Sequence, residues 1–151
     1  MTPQDGISPI EILMVDDDPG DVRITQEALK DAKVRNNLSV AKDGEEAMAF
    51  LRREGLHKNA PRPDIIFLDL NMPRKNGFET LKEIRADPTL ASIPVVILTT
   101  SGAEKDIIES YKLHANCYVT KPVELDQFLH VIQQMEEFWL NIVSLPPVTR
   151  K

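Results

Sequence analysis

The sequence predicts an α/β fold of the doubly wound (βα)5 type, in which five parallel strands in the order 2-1-3-4-5 lie between two layers of helices. Short apolar runs alternate along the chain with segments whose apolar residues recur at helical spacing. The chain has 151 residues, of which 42% are hydrophobic and 28% are charged. This size and composition are typical of one globular domain with its own core.

The strands are predicted from the apolar runs, most of them bounded by polar residues. The third run, from Asp64 to Leu68, has the continuous apolar character of a buried strand. The other four strands are predicted at Glu11 to Val15, Leu38 to Ala41, Val95 to Leu98 and Cys117 to Thr120.

Five helices are predicted, one after each strand. Asp18 can cap the first helix, Pro19 suits its opening position, and Asp21 is placed for a capping box. This helix is predicted to end before Asn36. The others are predicted from about Gly44 to Arg53, Gly77 to Ala86 (before Pro88), Lys105 to Leu113 and Leu125 to Val143.

These elements predict a single domain over residues 10–143, with a loose polar leader at residues 1–9 and a tail at residues 144–151. The net charge of -6 disfavours the extended basic surface that nucleic acid or an anionic membrane requires. The single Cys117 excludes an internal disulfide. Since no apolar run reaches about 18 residues, we expect a cytoplasmic protein.

Polar residues follow four of the predicted strands. They are Asp16 to Asp18 after the first strand, Asp69 after the third, Thr99 to Ser101 after the fourth, and Lys121 with Pro122 after the fifth. In the order 2-1-3-4-5 the first and third strands are neighbours, and ligands bind at the carboxyl edge where the winding reverses. Asp16, Asp17 and Asp69 are therefore predicted to converge, whereas helix capping accounts for Asp18.

Converging acids require compensation, because two carboxylates about 4 Å apart repel by roughly 4 kcal/mol at an effective dielectric constant near 20. A divalent cation supplies it, and oxygen ligands favour Mg²⁺ or Mn²⁺ over zinc. The Lys121 ammonium and Thr99 hydroxyl would complete a site for a phosphoryl group, with Asp69 as the nucleophile that becomes an acyl phosphate. The added charge would make this chemistry a switch.

Four motifs together resemble the receiver domain of bacterial two-component response regulators, which has a flavodoxin-like fold. The motifs are VDDD at 15 to 18, LDLNMPRKNG at 68 to 77, VVILTTS at 95 to 101 and YVTKP at 118 to 122. The resemblance implies that Asp69 is the phosphoacceptor, that Asp16 and Asp17 form the metal pocket, and that Asn71 offers its backbone carbonyl to Mg²⁺. It also implies roles for Thr99 and Lys121 in binding the phosphoryl group, for Tyr118 as the switch aromatic, and for Lys121-Pro122 as a cis peptide.

Within this family the segments HANCYVTKP, FWLNIVSLP and NAPRP are more similar to the small regulators paired with bacterial and cyanobacterial phytochromes. The resemblance implies a histidine kinase, with a phytochrome as the candidate, as the phosphoryl donor. The chain departs from the common pattern at Thr100, where a small residue is usual, and at Thr120, where an apolar residue is usual. Thr100 leaves open which hydroxyl acts.

The last predicted helix carries more apolar residues than one sheet-facing stripe needs. The residues left for other faces are Val131, Phe138, Val143 and Leu145. We expect them to form a homodimer through the C-terminal region, the alternative being a helix that is simply well buried.

The favoured function is a stand-alone response regulator without an output domain, whose only catalysis is its own phosphorylation and dephosphorylation, so that it is not an enzyme in the usual sense. A phosphohydrolase of the haloacid-dehalogenase type also uses a strand-end aspartate, but that resemblance expects a second acid where Asn71 stands. The other alternative is a pseudo-receiver that binds partners without accepting phosphate.

Overall fold

The structure is a computed structural model. It describes residues 9–31, 35–70, 72, 75–99, 117–120, 125–131 and 133, with only the backbone described at residues 99, 117, 118 and 120. The predicted fourth helix, most of the leader and the whole C-terminal tail lie outside the described residues. None of the described helices is long and apolar enough to cross a membrane.

The described chain alternates between strands and helices. In chain order its elements are β1 (Ile10–Val15), α1 (Pro19–Asp31), β2 (Asn36–Ala41), α2 (Gly44–Arg52), a short 3-10 helix (Gly55–His57), β3 (Ile65–Asp69), α3 (Gly77–Ala86), β4 (Val95–Thr99) and β5 (Cys117–Thr120). Residues 125–131, called here the C-terminal helical segment, are also helical.

The strands form one parallel sheet in which β1 lies between β2 and β3, and β4 lies beyond β3. The α/β class and the order 2-1-3-4 of the first four strands agree with the prediction. β5 pairs with β4 in parallel along its four residues.

Both faces of the sheet are buried, which explains why its central strands are continuous apolar runs. Side chains alternate between the faces, so that Leu13 and Val15 of β1 join the core under α2 and α3. Ile12 and Met14 point the other way, into the core shared with α1 and the C-terminal helical segment.

The C-terminal helical segment packs on the sheet through Phe128 and Val131. The ring of Phe128 lies 6.2 Å from the ring of Phe67 in β3, measured between centroids. Val131 is only 1% exposed, whereas Leu129 is 40% exposed. The expectation that Val131 lies on an outer, dimer-forming face is therefore wrong, because its spacing of three residues from Phe128 puts both side chains on the buried face.

Several element boundaries differ from the prediction by one or two residues. β1 begins one residue earlier, β3 begins and ends one residue later, and β4 ends one residue later. β2 begins at Asn36, two residues before the predicted start, because Asn36 and Asn37 continue the ladder opposite Ile10 and Glu11. The Asn37 side chain also donates a hydrogen bond of 2.8 Å to the Glu11 carboxylate. α2 ends at Arg52, since the next residue, Arg53, has a left-handed backbone with φ of 58°.

Candidate functional site

Three carboxylates lie together at the carboxyl edge of the sheet. Asp16, Asp17 and Asp69 each offer an oxygen atom, and these atoms lie within 4.8 Å of one another. Asp16 and Asp69 are 1% and 2% exposed, whereas Asp17 is exposed to solvent. The structure thus brings together the three acids that the sequence places at this edge.

The register of the sheet causes this convergence. Val15 is opposite Leu68 in the parallel pairing of β1 and β3, so the next residues, Asp16 and Asp69, lie side by side. The backbone N–H of Asp16 also donates to the carbonyl of Ala41 at 3.0 Å, which extends the pairing of β1 with β2 by one residue. The backbone of Asp16 and of Asp69 is therefore held in place by two buried strands.

The turn from β1 into α1 is built from the aspartates themselves. Asp16 Oδ1 accepts a hydrogen bond of 2.9 Å from the backbone N–H of Asp18. Asp18 Oδ1 in turn accepts one of 2.8 Å from the N–H of Gly20, in the first turn of α1. This is the bond of a helix cap, which confirms the role predicted for Asp18 and leaves it outside the acidic cluster.

The acidic cluster fits a hard divalent cation. Its ligand atoms are all carboxylate oxygens, which suit Mg²⁺ and Mn²⁺ and do not suit a metal that prefers sulfur or imidazole. Two of the three negative charges are buried, so a cation would offset their mutual repulsion. The exposed Asp17 leaves the cluster accessible from the solvent side.

The other predicted site residues fall only partly within the described chain. The backbone of Thr99 lies at the same edge, one residue beyond Leu98, which pairs with Asp69. Tyr118 is in β5, where its backbone pairs with Ile97. Only the backbone is described at Thr99 and Tyr118. The remaining predicted residues lie wholly outside the described chain: Asn71, Thr100, Lys121, Pro122, Phe138, Val143 and Leu145.

Gly77, the first residue of α3, allows the helix to approach the backbone of Asp69. A Cβ atom at Gly77 would lie 2.6 Å from Leu70 Cα and closer still to the carbonyl oxygen of Asp69. The N–H of Gly77 donates to the carbonyl of Leu70 at 3.1 Å. The start of α3 therefore supports the strand end that carries Asp69, and only glycine leaves room for this contact.

The start of α2 contacts the same connection between β3 and α3. Asp43 is buried and caps α2 by accepting a hydrogen bond of 2.9 Å from the N–H of Glu46. The next residue, Gly44, donates its N–H to the carbonyl of Lys75 at 3.1 Å. α2 and α3 thus both hold the segment that follows Asp69.

An ion-pair network continues along α3. Glu83 pairs with Lys75 and with Arg52 at the end of α2, the latter at 2.6 Å. The hydrogen bond from Lys75, followed by that from Arg52, holds the pKa of the Glu83 carboxyl below its usual value, although partial burial opposes this shift. The same carboxylate therefore links the β3–α3 connection to α2.

These supporting residues were not identified as functional from the sequence. The Asn76-Gly-Phe-Glu79 segment has the spacing of a capping box, in which both reciprocal hydrogen bonds are present. This spacing could have indicated the start of α3. The close approach at Gly77 and the pairing of Arg52 with Glu83 join residues distant in sequence and leave no comparable local signal.

The chain matches the family model for the response regulator receiver domain over residues 12–133. It is 49% identical over 138 residues to Response regulator Rcp1 of Synechocystis sp., and this alignment covers 91% of the chain and 94% of that protein.

Two solved structures are similar in sequence and in fold. The phosphorylated cyanobacterial phytochrome response regulator RcpA is 50% identical with a TM-score of 0.75, covering 88% of this chain and 95% of that one. The Mn(2+)-bound form of Rcp1 is 48% identical with a TM-score of 0.73, covering 87% and 95% respectively. The family match, the identity and the sheet with its acidic edge agree, and the chain belongs to the response regulator receiver domain family.

Proposed function

We propose that this response regulator is a switch operated by phosphorylation of Asp69, with a histidine kinase as the phosphoryl donor. Family members are signalling proteins, not typical enzymes. The observation that carries the proposal is the acidic cluster: Asp69 ends a buried strand with oxygen atoms of Asp16 and Asp17 within 4.8 Å. A carboxylate in that position is the nucleophile that the transfer needs.

The transfer is a displacement at phosphorus. A carboxylate oxygen of Asp69 attacks the phosphoryl group of a phosphohistidine, an oxygen–phosphorus bond forms, and the nitrogen–phosphorus bond breaks with its electron pair returning to the imidazole. Bound Mg²⁺ or Mn²⁺ would offset the charge on the phosphoryl oxygens. Asp16 and Asp17 would hold this ion together with Asp69, and the backbone carbonyl of Asn71 would be a further ligand.

The remaining site residues enter the proposal through their positions in the family motifs. Thr99 and Lys121 would bind the phosphoryl group, and Tyr118 would change its side-chain position in response. The Lys121-Pro122 peptide would be cis. The position of Thr99 one residue beyond the partner of Asp69 supports this assignment, because it brings a hydroxyl-bearing residue to the carboxyl edge.

The complete fold that we propose has five strands in the order 2-1-3-4-5, each followed by a helix, over residues 10–143. The pairing of β5 with β4 supports the order, and the C-terminal helical segment supports a final helix on the face shared with α1. The leader at residues 1–9, the tail at 144–151 and a cytoplasmic location stay predictions.

A phytochrome is the proposed kinase partner. The support is the identity of 50% to RcpA, which is described as a phytochrome response regulator. A homodimer through the C-terminal region is also proposed, now resting on Phe138, Val143 and Leu145 without Val131. Sedimentation velocity with and without a phosphodonor tests the dimer, and a monomer under both conditions would exclude it.

The test of the switch chemistry is the intact mass of the protein after incubation with acetyl phosphate and Mg²⁺. We expect one phosphate adduct on the wild type, and none on Asp69→Asn or in the presence of EDTA. Asp18→Asn is the matched control, because it alters a neighbouring aspartate assigned to helix capping, and it should still form the adduct.

The same experiment separates the alternative functions. A folded wild-type protein that forms no adduct would favour the pseudo-receiver. Steady release of phosphate from small phosphoesters would favour the phosphohydrolase.

A further inference from the structure

A second charged site lies at the opposite, amino edge of the sheet, where α2 ends and where the connections into β3 and β4 pass. The structure has a cavity of about 360 Å³ here. Its lining residues are Leu51, Arg52, Arg53, Arg62, Thr89 and Leu90. Three arginines around one cavity are unexpected in a chain whose net charge is -6.

The three arginines differ in how their charge is balanced. Arg52 pairs with Glu83 at 2.6 Å and lies 3.5 Å from Asp87. The hydrogen bond that Arg52 donates to Glu83 is the main reason that the pKa of Arg52 is raised. Its guanidinium is therefore already neutralised by neighbouring carboxylates.

Arg53 and Arg62 bind neutral oxygen atoms instead. Arg53 Nε donates to the carbonyl of Ala60 at 2.9 Å, and an Nη of Arg62 donates to the carbonyl of Thr89 at 2.7 Å. The other Nη of Arg62 lies 3.4 Å from Ser92 Oγ. Among the described residues neither guanidinium has a carboxylate partner, so two positive charges and several N–H donors remain for an anion.

The backbone of Arg53 adds an independent observation. Arg53 has φ of 58° and ψ of 47°, the left-handed conformation that glycine adopts without strain at the end of a helix. Its N–H and that of Glu54 close α2 by donating to the carbonyls of Phe50 and Ala49. Glycine could make these bonds equally well, yet the position carries an arginine, and such strain is found preferentially at functional sites.

The surroundings favour an anion over a neutral ligand. Leu51 and Leu90 are buried and give the cavity an apolar base, which strengthens charge-assisted hydrogen bonds above it. Arg53 and Arg62 are exposed, so a ligand can reach them from solvent. The planar guanidinium matches the paired oxygens of phosphate and carboxylate groups.

We propose that this cavity binds a small molecule through an oxyanion, a phosphate or a carboxylate group, held by Arg53 and Arg62. The volume is within the range of small-molecule sites. The site is separate from the acidic cluster and its occupancy does not require phosphorylation of Asp69.

The test is a titration followed by backbone amide chemical shifts, with pyrophosphate and citrate as the phosphate and carboxylate probes. Metal is removed from the protein and the probes beforehand with a chelating resin, so that no soluble carboxylate chelator competes for the cavity, and ionic strength is held constant with NaCl. We expect saturable shifts at residues 51–54, 60, 62 and 89–92, with a dissociation constant on the order of 1 mM or tighter. The probe with the lower dissociation constant identifies the preferred oxyanion.

Two variants and a matched control make the test specific. Arg53→Gly removes a guanidinium and also relieves the left-handed strain, so the helix end is retained, and Arg62→Gln removes the second charge. Each should weaken binding at least 10-fold. Lys58 lies in the same α2–β3 connection but does not line the cavity. Lys58→Gln removes one positive charge, and this variant should bind the probes with the affinity of the wild type.

The proposal is overturned if neither probe gives saturable shifts, or if all three variants bind alike. Shifts that map to the acidic edge instead of the cavity would also overturn it. Asp69→Asn should bind both probes as the wild type does. Because this variant lacks the proposed phosphoacceptor, its binding of the probes tests the cavity independently of the phosphorylation of Asp69.

Discussion

Replacing Gly77 with alanine should destabilise the protein and disturb Asp69, because the new Cβ meets backbone and not a movable side chain. It would lie 2.6 Å from Leu70 Cα and 3.0 Å from the carbonyl carbon of Asp69. Ordinary contacts between carbon atoms are about 3.5–4.0 Å, so relief requires a displacement of about 1 Å. The start of α3 or the end of β3 must move by that amount.

The expected loss of stability follows from the displacement of buried backbone. Overpacking in a well-packed core costs about 1–3 kcal/mol, and the upper value applies because buried backbone cannot turn away. The hydrogen bond of 3.1 Å from the Gly77 N–H to Leu70 is also weakened, which adds about 1 kcal/mol. We therefore expect the free energy of unfolding to fall by about 3–4 kcal/mol and the melting temperature to fall by roughly 10 °C.

Urea denaturation followed by circular dichroism measures this change, and Gly20→Ala is the matched control. The nearest atom to a Cβ at Gly20 is Asp18 Oδ1 at 3.2 Å, the end of a side chain that can move. Since Gly20 lies in α1, alanine there should be neutral or stabilising by up to about 1 kcal/mol. Equal stability of Gly77→Ala and Gly20→Ala would refute the close approach of α3 to the Asp69 backbone.

Three further changes test the site and its supports. Asp69→Asn should stabilise the metal-free protein by about 1–3 kcal/mol, because buried carboxylates repel at this distance. Calorimetry with EDTA and with Mg²⁺ should show that Mg²⁺ raises the melting temperature less in the variant than in the wild type. Glu83→Gln should cost about 0.5–1 kcal/mol in urea denaturation at pH 7; since the folded pKa of Glu83 is lowered, the difference should disappear as the pH falls below the usual value near 4.5. Asn76→Ala should cost about 1 kcal/mol by the same assay, because it removes the cap of α3.

Each of these predictions has an opposing result. A metal-free Asp69→Asn protein that is less stable than the wild type would show that the repulsion is already compensated. A pH-independent effect of Glu83→Gln would indicate lost packing and not lost charge. An unchanged Asn76→Ala variant would mean that other groups satisfy the first turn of α3.

Much of the sheet could be predicted because its strands are covered on both faces and therefore appear as continuous apolar runs. The ends of α3 were also predicted at Gly77 and Ala86, and both are observed. The convergence of Asp16 with Asp69 followed from the strand order alone, since adjacent parallel strands end at the same edge.

The features that escaped prediction depend on contacts between distant residues. Asn36 has a preference for turns, but its pairing with Ile10 extends β2. The face of the last helix could not be chosen from its sequence, since a helix rich in apolar residues offers more than one stripe. The packing of Phe128 against Phe67 decides which face is buried.

The residues that support the acidic cluster were harder to predict from the sequence than the acids themselves. Charges at the end of a buried strand break the local pattern, which makes Asp69 visible in the sequence, and such breaks are expected at functional sites. The groups that hold this strand end follow local rules: Gly77 begins a helix, Asn76 caps it, and Lys75 forms an ion pair with Glu83 on the helix surface. Each looks ordinary in the sequence, yet together they hold the backbone beside Asp69, and this contribution is visible only in three dimensions.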